Sequence, residues 1–456
     1  MLQRIKNQNK FKLFLIAFAV IVIFILILSY PIFRCLWWIL EHFNSKQWDF
    51  YFISIVVSII LSVVVLTCTI ATMFIQSIKV RYLSYFGRDF TSFDLLLLPW
   101  IIICEFVFGF SSAAHEYAWI VCIVLIGIFA IYIIVGHLSG VFIMHKKNIY
   151  LKSPKIKQSL RMIQISDVHI GTRSQSFLEK VVSQVSEING DIIFITGDLI
   201  DRKGALKQNV TNNEDSSASD ESQLQQNKYP IMQSLRKLTA KYGVYFVMGN
   251  HDVQAGRDNV VKMLQNFPNI RLLTNEYVDI SLQESDSLNQ TNNQQYIPNQ
   301  NEDKQNILRI IGIEDGDIKQ FIDYVNNFYS VNTSLFKNEN SDSPYTVVLH
   351  HRPHNKAWLT SMNLLHGDLF LAGHTHNGQL FPLHPFLIRF FFSHPAGLLT
   401  VNKLNSNSDQ KDIVYMQEQQ KSFPRLMYVN PGTGSSGTPA RTSGLSEITI
   451  LNITPE

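Results

Sequence analysis

Hydrophobic residues are distributed very unevenly along this chain. Four long apolar runs come before residue 145, at positions 11–29, 52–75, 95–110 and 118–138. An apolar helix of about 20 residues spans the ~30 Å hydrocarbon core of a bilayer. Residues 1–145 are therefore predicted to form a membrane region of about four transmembrane helices. The third run is the shortest and contains Pro99 and Glu105.

Basic residues predict the orientation of these helices. Lys and Arg cluster before the first run, between the second and third runs, and after the fourth run, whereas positions 111–117 contain neither. Because basic loops stay in the cytosol, both termini and the C-terminal part are predicted to be cytosolic. Residues 146–160 are expected to be a basic linker that either contacts anionic lipid or only sets the topology. Glu105 and His137 are expected to lie near helix ends or to pair with a neighbouring helix, with a functional role inside the membrane as the alternative.

From residue 161 the pattern changes to short apolar runs that alternate with amphipathic stretches. This alternation is typical of a layered α/β fold, so residues 161–456 are predicted to form one domain. The predicted strands are 162–165, 192–196, 244–248, 308–313, 346–349, 369–372 and 447–451. The predicted helices are 177–188, 231–238 and 260–264.

Five of these strands are followed by residues that can bind a metal. The residues are Asp167 and His169; Asp198; Asn250, His251 and Asp252; His350 and His351; and His374 and His376. Each motif alone is common by chance, but ligands in open α/β sheets gather beyond the carboxyl ends of strands. All four cysteines lie before residue 145, which excludes a thiolate site in the C-terminal part. Oxygen and nitrogen donors without sulfur suit divalent transition metals.

The order and identity of these motifs resemble the calcineurin-like metallophosphoesterase family. The GHTHNGQ motif at 373–379, together with membrane spans earlier in the chain, is most similar to the family's membrane-associated branch. The resemblance implies a four-layer αββα sandwich with two sheets and two divalent metal ions, which would be Mn, Fe or Zn. It places Asp167, His169 and His376 on the first metal, Asp198 between both metals, and Asn250, His351 and His374 on the second. His350 competes with His351 for that last role.

The resemblance also implies hydrolysis of phosphate mono- or diesters. Two cations about 3.5–4 Å apart can share a hydroxide that attacks phosphorus in line. His251 would be the general acid, and Asp252 would either orient its imidazole or cap a helix. The expected partners are the lipid bilayer and a phosphoester substrate, with a lipid-linked substrate as one option. The alternative function is a non-catalytic membrane receptor or scaffold that retains the fold.

The remaining features change this picture little. A net charge of +3 over 456 residues gives no basic field for nucleic acid. The sequence GTGSSG at 432–437 fits a nucleotide-binding pattern, but Pro439 follows it, and it also resembles the family's closing loop. Polar tracts near 207–228, 282–306, 337–343 and 405–420 are expected to be disordered insertions. The aromatic run at 386–392 is expected to be buried, with a lip that touches the membrane or an apolar substrate as the alternative.

Overall fold

The computed structural model describes residues 2–43, 47–75, 77–207, 228–282, 306–336, 343–381, 383–400 and 425–456. Contacts divide the chain into two compact units. The first contains residues 1–75 and 79–137, and the second contains residues 76–78 and 138–456. The polar tracts expected to be insertions lie almost entirely outside the described residues.

The first unit is helical. Its helices are α1 (Leu2–Phe43), α2 (Gln47–Phe74), α3 (Arg81–Phe110), α4 (Ser112–His115) and α5 (Ala118–Phe142), whose last turn belongs to the second unit. Four segments are long and apolar enough to cross a membrane, namely Leu15–Phe43, Asp49–Thr72, Ile78–Phe110 and Ala118–Phe142. The predicted four apolar helices are confirmed, and the third begins at Arg81 rather than at residue 95 and continues through Pro99.

Ionisable side chains between these helices form pairs. The Arg34 guanidinium of α1 donates to the Glu105 carboxylate of α3, with Nη2 2.9 Å from Oε2, and it lies over the Trp38 ring. His137 of α5 lies 2.7 Å from the Asp89 carboxylate of α3. Glu105 and His137 therefore pair with neighbouring helices, which offsets the cost of placing charge among apolar residues.

The second unit contains two six-stranded sheets. The first sheet has the order β1-β12-β2-β3-β4-β5 and the second has the order β10-β11-β9-β8-β7-β6. The strands are β1 (His145–Ser153), β2 (Leu160–Ile165), β3 (Ile192–Thr196), β4 (Val244–Val247), β5 (Ile270–Leu272), β6 (Glu276–Ser281), β7 (Ile307–Gly312), β8 (Tyr345–Leu349), β9 (Leu369–Ala372), β10 (Gly397–Thr400), β11 (Leu426–Val429) and β12 (Glu447–Pro455). The helices are α6 (Gln175–Ile188), α7 (Asn250–Leu264), α8 (Ile318–Val331), α9 (Asn355–Leu365) and α10 (Leu383–Phe391).

Three hydrophobic cores separate four layers. Successive residues of each strand point to opposite faces of its sheet. In β3, Ile193 and Ile195 face a core shared with α6 and α7, whereas Phe194 faces a core between the two sheets. In β9, Leu371 faces the inter-sheet core and Phe370 faces a third core with α8 and α9. The predicted αββα sandwich is confirmed.

Two segments differ from the sequence-based expectation. Residues 145–153, expected largely as linker, form β1 and pair in parallel with β12. This strand lies at the sheet edge and buries only Leu151 and Ser153, so it tolerates the charges that suggested a linker. The predicted helix at 231–238 is a 3₁₀ segment, Pro230–Lys237, and α7 begins at Asn250 rather than ten residues later.

Candidate metal centre

The predicted ligands lie at the carboxyl ends of parallel strands from both sheets. The strands β2, β3 and β4 run parallel in the first sheet, and β8 and β9 run parallel in the second. The backbone turns sharply as each strand ends, and five of the predicted ligands adopt left-handed conformations. The φ values are 54° at Asp167, 54° at His169, 51° at Asp198, 75° at His374 and 51° at His376. Non-glycine residues rarely adopt positive φ, and clusters of such residues are typical of functional sites.

Glycine allows these turns to approach one another. A Cβ atom on Gly249 would collide with the Asp198 carboxylate. Gly197 has a φ of 88°, and a Cβ there would collide with the His351 ring. Gly197 and Gly249 are therefore required by close contact between the turns that carry the ligands, and not only by chain flexibility.

The first cluster contains Asp167, His169 and His376. The Nε2 atoms of His169 and His376 lie 3.0 Å apart, and His376 Nε2 lies 3.3 Å from Asp167 Oδ1. Burial would raise the pKa of Asp167, but the neighbouring histidines, above all His376, hold it well below its usual value. Asp167 is therefore a buried carboxylate that stays charged between two imidazoles.

The second cluster contains Asp198, His351 and His374. His351 Nδ1 lies 2.8 Å from the Thr196 carbonyl oxygen, to which it can donate. Its Nε2 then remains free to bind a cation, 3.1 Å from Asp198 Oδ2 and 3.2 Å from His374 Nδ1. A backbone carbonyl that fixes the tautomer in this way is common among metal-binding histidines.

His350 does not reach this cluster. Its ring centroid lies 4.5 Å from that of Phe321, and burial lowers the pKa of His350 to about 3. Its Nδ1 lies 3.3 Å from the Ile313 carbonyl oxygen. Of the two candidates, the geometry therefore places His351 beside Asp198 and His350 in the core of the second sheet.

Asp201 is a site residue that the sequence analysis missed. It forms a third cluster with His169 and His251, and its Oδ1 lies 2.7 Å from His251 Nδ1 and 3.3 Å from His169 Nδ1. Burial would lower the pKa of His251, but the hydrogen bond to Asp201 outweighs it and raises that pKa to about 9. Asp201 follows β3 only three residues after Asp198, so the GDLID sequence was the available signal.

Asp252 does not orient His251 in this structure. Its carboxylate accepts hydrogen bonds from the backbone N–H groups of Gly249, Ile200 and Leu199 at 2.9, 2.7 and 3.3 Å. This arrangement caps α7 and ties it to the turn after β3. Among the residues described, the carboxylate that pairs with the His251 ring is that of Asp201 and not that of Asp252.

Two oxygens at predicted ligand positions support a bound cation. Asp167 Oδ1 and Asn250 Oδ1 are buried and make no hydrogen bond to any residue that the structure describes. A buried polar atom without a partner is costly, and a metal ion would satisfy both atoms. The donors are nitrogen and oxygen only, which fits divalent transition metals. Asn250 starts α7, next to His251, whose backbone N–H donates to Asp198 Oδ1 at 2.8 Å.

Comparison with protein families agrees with this geometry. Residues 160–378 match the family model of the calcineurin-like phosphoesterases, and the match ends just after the turn that carries His374 and His376. These residues are therefore similar to a calcineurin-like phosphoesterase domain. The family prediction from the sequence is therefore confirmed.

Individual relatives are distant. An uncharacterised metallophosphoesterase of Campylobacter jejuni is 23% identical over 67% of this chain and 62% of its own length. A transmembrane protein with metallophosphoesterase domain from Danio rerio is 28% identical over 66% of this chain and 54% of its own length. A UDP-2,3-diacylglucosamine pyrophosphatase of Chlamydia muridarum is 24% identical over 60% of this chain and 78% of its own length. The chain thus spans 54–62% of the first two of these relatives. The four apolar helices and the relatives named as transmembrane proteins support a membrane protein.

The glycine-rich segment after β11 packs against the turn that carries Asp167 of the first cluster. The backbone N–H groups of Thr433 and Gly434 donate to the carbonyls of Ser166 and Asp167 at 2.7 and 3.0 Å. These two N–H groups therefore donate within the protein and are not available to bind a phosphate. Within residues 425–456 the segment leads to strand β12 and not to a helix, so the dinucleotide-binding alternative lacks its required structure.

A buried arginine joins this segment to a predicted ligand. Arg441 is fully buried, and its Nη2 lies 3.0 Å from His376 Nδ1 and donates to the carbonyls of Pro431 and Gly434 at 3.0 and 2.6 Å. Burial lowers the pKa of Arg441 to about 9. Several carbonyl oxygens thus solvate this guanidinium and hold the closing segment against the imidazole.

Proposed function

We propose that this domain hydrolyses phosphate mono- or diesters with two divalent cations. The proposal rests on one observation: the ends of five strands bring six of the seven predicted ligands, together with Asp201 and His251, into three adjoining clusters whose donor atoms are nitrogen and oxygen only. Asp167, His169 and His376 would hold one cation. Asn250, His351 and His374 would hold the other, and Asp198 would contribute to both. Bound cations would neutralise charge on the phosphoryl oxygens and supply an activated water.

The residues of the chain itself would handle the leaving group. His251 has its Nδ1 paired with Asp201, so its Nε2 is the atom that can deliver a proton. A raised pKa keeps this imidazole protonated near neutral pH, as a general acid requires. Asp201 would hold the ring in place and stabilise its charged form. His251 is therefore proposed as the general acid and Asp201 as its positioning residue.

The setting of the domain suggests a substrate near a membrane. The chain carries four candidate spans, and one relative is by its name a pyrophosphatase for a diacylated sugar nucleotide. We therefore include lipid-linked phosphoesters among the substrates to be tested. The charge of the loops between the spans favours a cytosolic catalytic domain.

The test uses the full chain, purified in detergent and loaded with Mn²⁺. We expect close to two metal ions per chain and hydrolysis of a chromogenic phosphodiester. Asp198→Asn should lower both metal content and activity, the latter by at least about 10³-fold, because several kcal/mol of charge stabilisation are lost. His251→Gln should retain the metal and lose about 10²-fold or more on alkyl esters, whose leaving group needs a proton.

Two outcomes would contradict the proposal. Equal activity of the native chain and Asp198→Asn would exclude hydrolysis at this centre. Two bound metals with no hydrolysis of any phosphoester in a lipid and nucleotide panel would favour the receptor or scaffold alternative.

A further inference from the structure

The helix α10, which follows the turn that carries His374 and His376, exposes its apolar face. Phe386 and Phe390 are 62% and 84% exposed, and Leu387 and Phe391 are 45% and 76% exposed. These residues are spaced i, i+1, i+4 and i+5 and so form one face of the helix. A soluble helix normally turns such a face towards the core. The expectation that residues 386–392 are buried is therefore wrong for this face.

The charge around α10 fits a lipid surface. Arg389 is the only Lys, Arg, Asp or Glu residue between positions 381 and 400, and no acidic residue occurs from position 369 to position 408. Arg389 is exposed on the helix. Helices that lie in the membrane interface combine large aromatic or aliphatic residues with cations, because the cations attract anionic headgroups.

Contacts fix α10 to the candidate metal centre. The helix packs against the turn His376–Gly378. Directly after the helix, the Phe392 ring lies 5.4 Å from the His374 ring and stacks on His354 at 5.5 Å. The Thr375 hydroxyl donates to the Pro395 carbonyl. The exposed face therefore belongs to a segment that packs beside two predicted ligands, and not to the tip of an isolated loop.

The rest of the chain indicates which partner covers this face. The four candidate spans tether the domain to a bilayer, which is an apolar phase that can cover this face. Burial of four large apolar side chains in that bilayer would remove the cost of exposing them to water. Burial of the face in the bilayer requires no second protein.

We propose that the apolar face of α10 inserts into the headgroup boundary of the bilayer and holds the metal centre at the membrane surface. The inference rests on the proposed function and extends it to a substrate class, phosphoesters of lipids presented in the plane of the membrane. Phe390 and Phe391, the two most exposed residues of the face, are its main contacts.

The first experiment measures insertion directly, without hydrolysis. The full chain carrying Phe390→Cys is labelled with an environment-sensitive fluorophore and reconstituted in phosphatidylcholine liposomes. Labelling of the four native cysteines is measured on the unsubstituted chain and subtracted. Val331→Cys is the matched control, since Val331 is a 76% exposed apolar residue at the end of α8.

We expect lipids with a nitroxide on the acyl chain to quench the label at position 390 about twofold or more and to leave the label at position 331 unchanged. Equal quenching at both positions, or none at position 390, would overturn the proposal. Absence of quenching together with concentration-dependent association of chains would assign the face to a second copy instead.

The second experiment measures the consequence for hydrolysis. The double variant Phe390→Ser/Phe391→Ser is compared with Val331→Ser on a soluble chromogenic phosphodiester and on a diacylglycerol phosphate in vesicles. The double variant should lose about tenfold on the vesicle substrate, through lost surface binding, and stay within about twofold on the soluble one. Equal loss on both substrates would overturn the proposal. If the native chain hydrolyses neither substrate, the proposed function fails, and the quenching result still decides the insertion.

Discussion

Two buried polar regions of the phosphoesterase domain differ in how their charges are satisfied. At the edge of the second sheet, Arg309 and Asp279 form a bidentate pair with two N–O distances of 2.7 Å, and the guanidinium also lies 5.4 Å from the Tyr277 ring centroid. At the candidate metal centre, carboxylates and imidazoles face one another, and Asp167 Oδ1 and Asn250 Oδ1 accept no hydrogen bond from the residues described.

The comparison separates structural from functional burial of charge. A complete pair needs no further group, and its purpose is served once the domain has folded. A cluster of buried donors in which some oxygens accept no hydrogen bond is instead destabilising until a cation binds. Left-handed backbone at five predicted ligands adds strain only at the second region. Stability should therefore depend strongly on the first region, and activity and metal affinity on the second.

The largest expected effect comes from breaking the complete pair. Arg309→Met leaves the Asp279 carboxylate buried without a partner and should lower the free energy of unfolding by about 3–5 kcal/mol. Thermal or denaturant unfolding of the full chain measures this loss. The double variant Arg309→Met/Asp279→Leu is the matched control and should recover most of it. A single variant as stable as the native chain would show that the pair contributes nothing.

Metal removal should reveal the opposite behaviour at the candidate centre. A cation that binds only the folded state at about 100 times its Kd adds about 2.7 kcal/mol of stability, and chelation removes it. The unfolding transition of the native chain should therefore shift with Mn²⁺ and EDTA. Asp198→Asn should show little shift with either, whereas Arg309→Met should keep the full shift. An unfolding transition of the native chain that does not depend on metal would contradict metal binding at the candidate centre.

Short-range patterns of the sequence were enough to predict the second region but not all of its members. The strands were recognisable as apolar runs, and parallel strands of one sheet bring their carboxyl ends together, so the ligands could be named. Asp201 was missed because its role depends on His251, fifty positions away along the chain. The GDLID sequence places Asp201 at the end of the same strand as Asp198, but no local pattern encodes its contact with His251.

Hydrophobicity alone was also a poor guide to position. The charged segment that became β1 pairs at a sheet edge, where only backbone bonds and two buried side chains are needed. The apolar segment that became α10 points its face outward. Residue type predicts what a segment can bury, but tertiary packing decides whether the protein itself supplies the cover.

A third prediction distinguishes the carboxylates within the candidate centre. Asp201→Asn weakens the hydrogen bond that holds His251 and should lower kcat for an alkyl phosphoester by about 10–100-fold, as loss of an orienting carboxylate usually does. The same variant should lose much less on a nitrophenyl ester, because that leaving group needs no proton. Saturating Mn²⁺ in both assays corrects for any weaker binding through His169. Equal losses on the two esters would indicate a purely structural role for Asp201.

The smallest expected effect belongs to Asp252, which lies in the same turn as the general acid but has the character of the first region. Its carboxylate satisfies three backbone N–H groups at the start of α7 and contacts no catalytic ring. Asp252→Asn retains one acceptor oxygen, so we expect a loss of about 0.5–2 kcal/mol in the free energy of unfolding, as for a lost helix cap. Turnover of both esters per folded molecule should stay unchanged, in contrast to Asp201→Asn. A fall in kcat for alkyl esters without a loss of stability would instead indicate that Asp252 orients His251. The neighbouring position of Asp252 in the sequence would then affect His251 more than its 2.7 Å contact with Asp201 does.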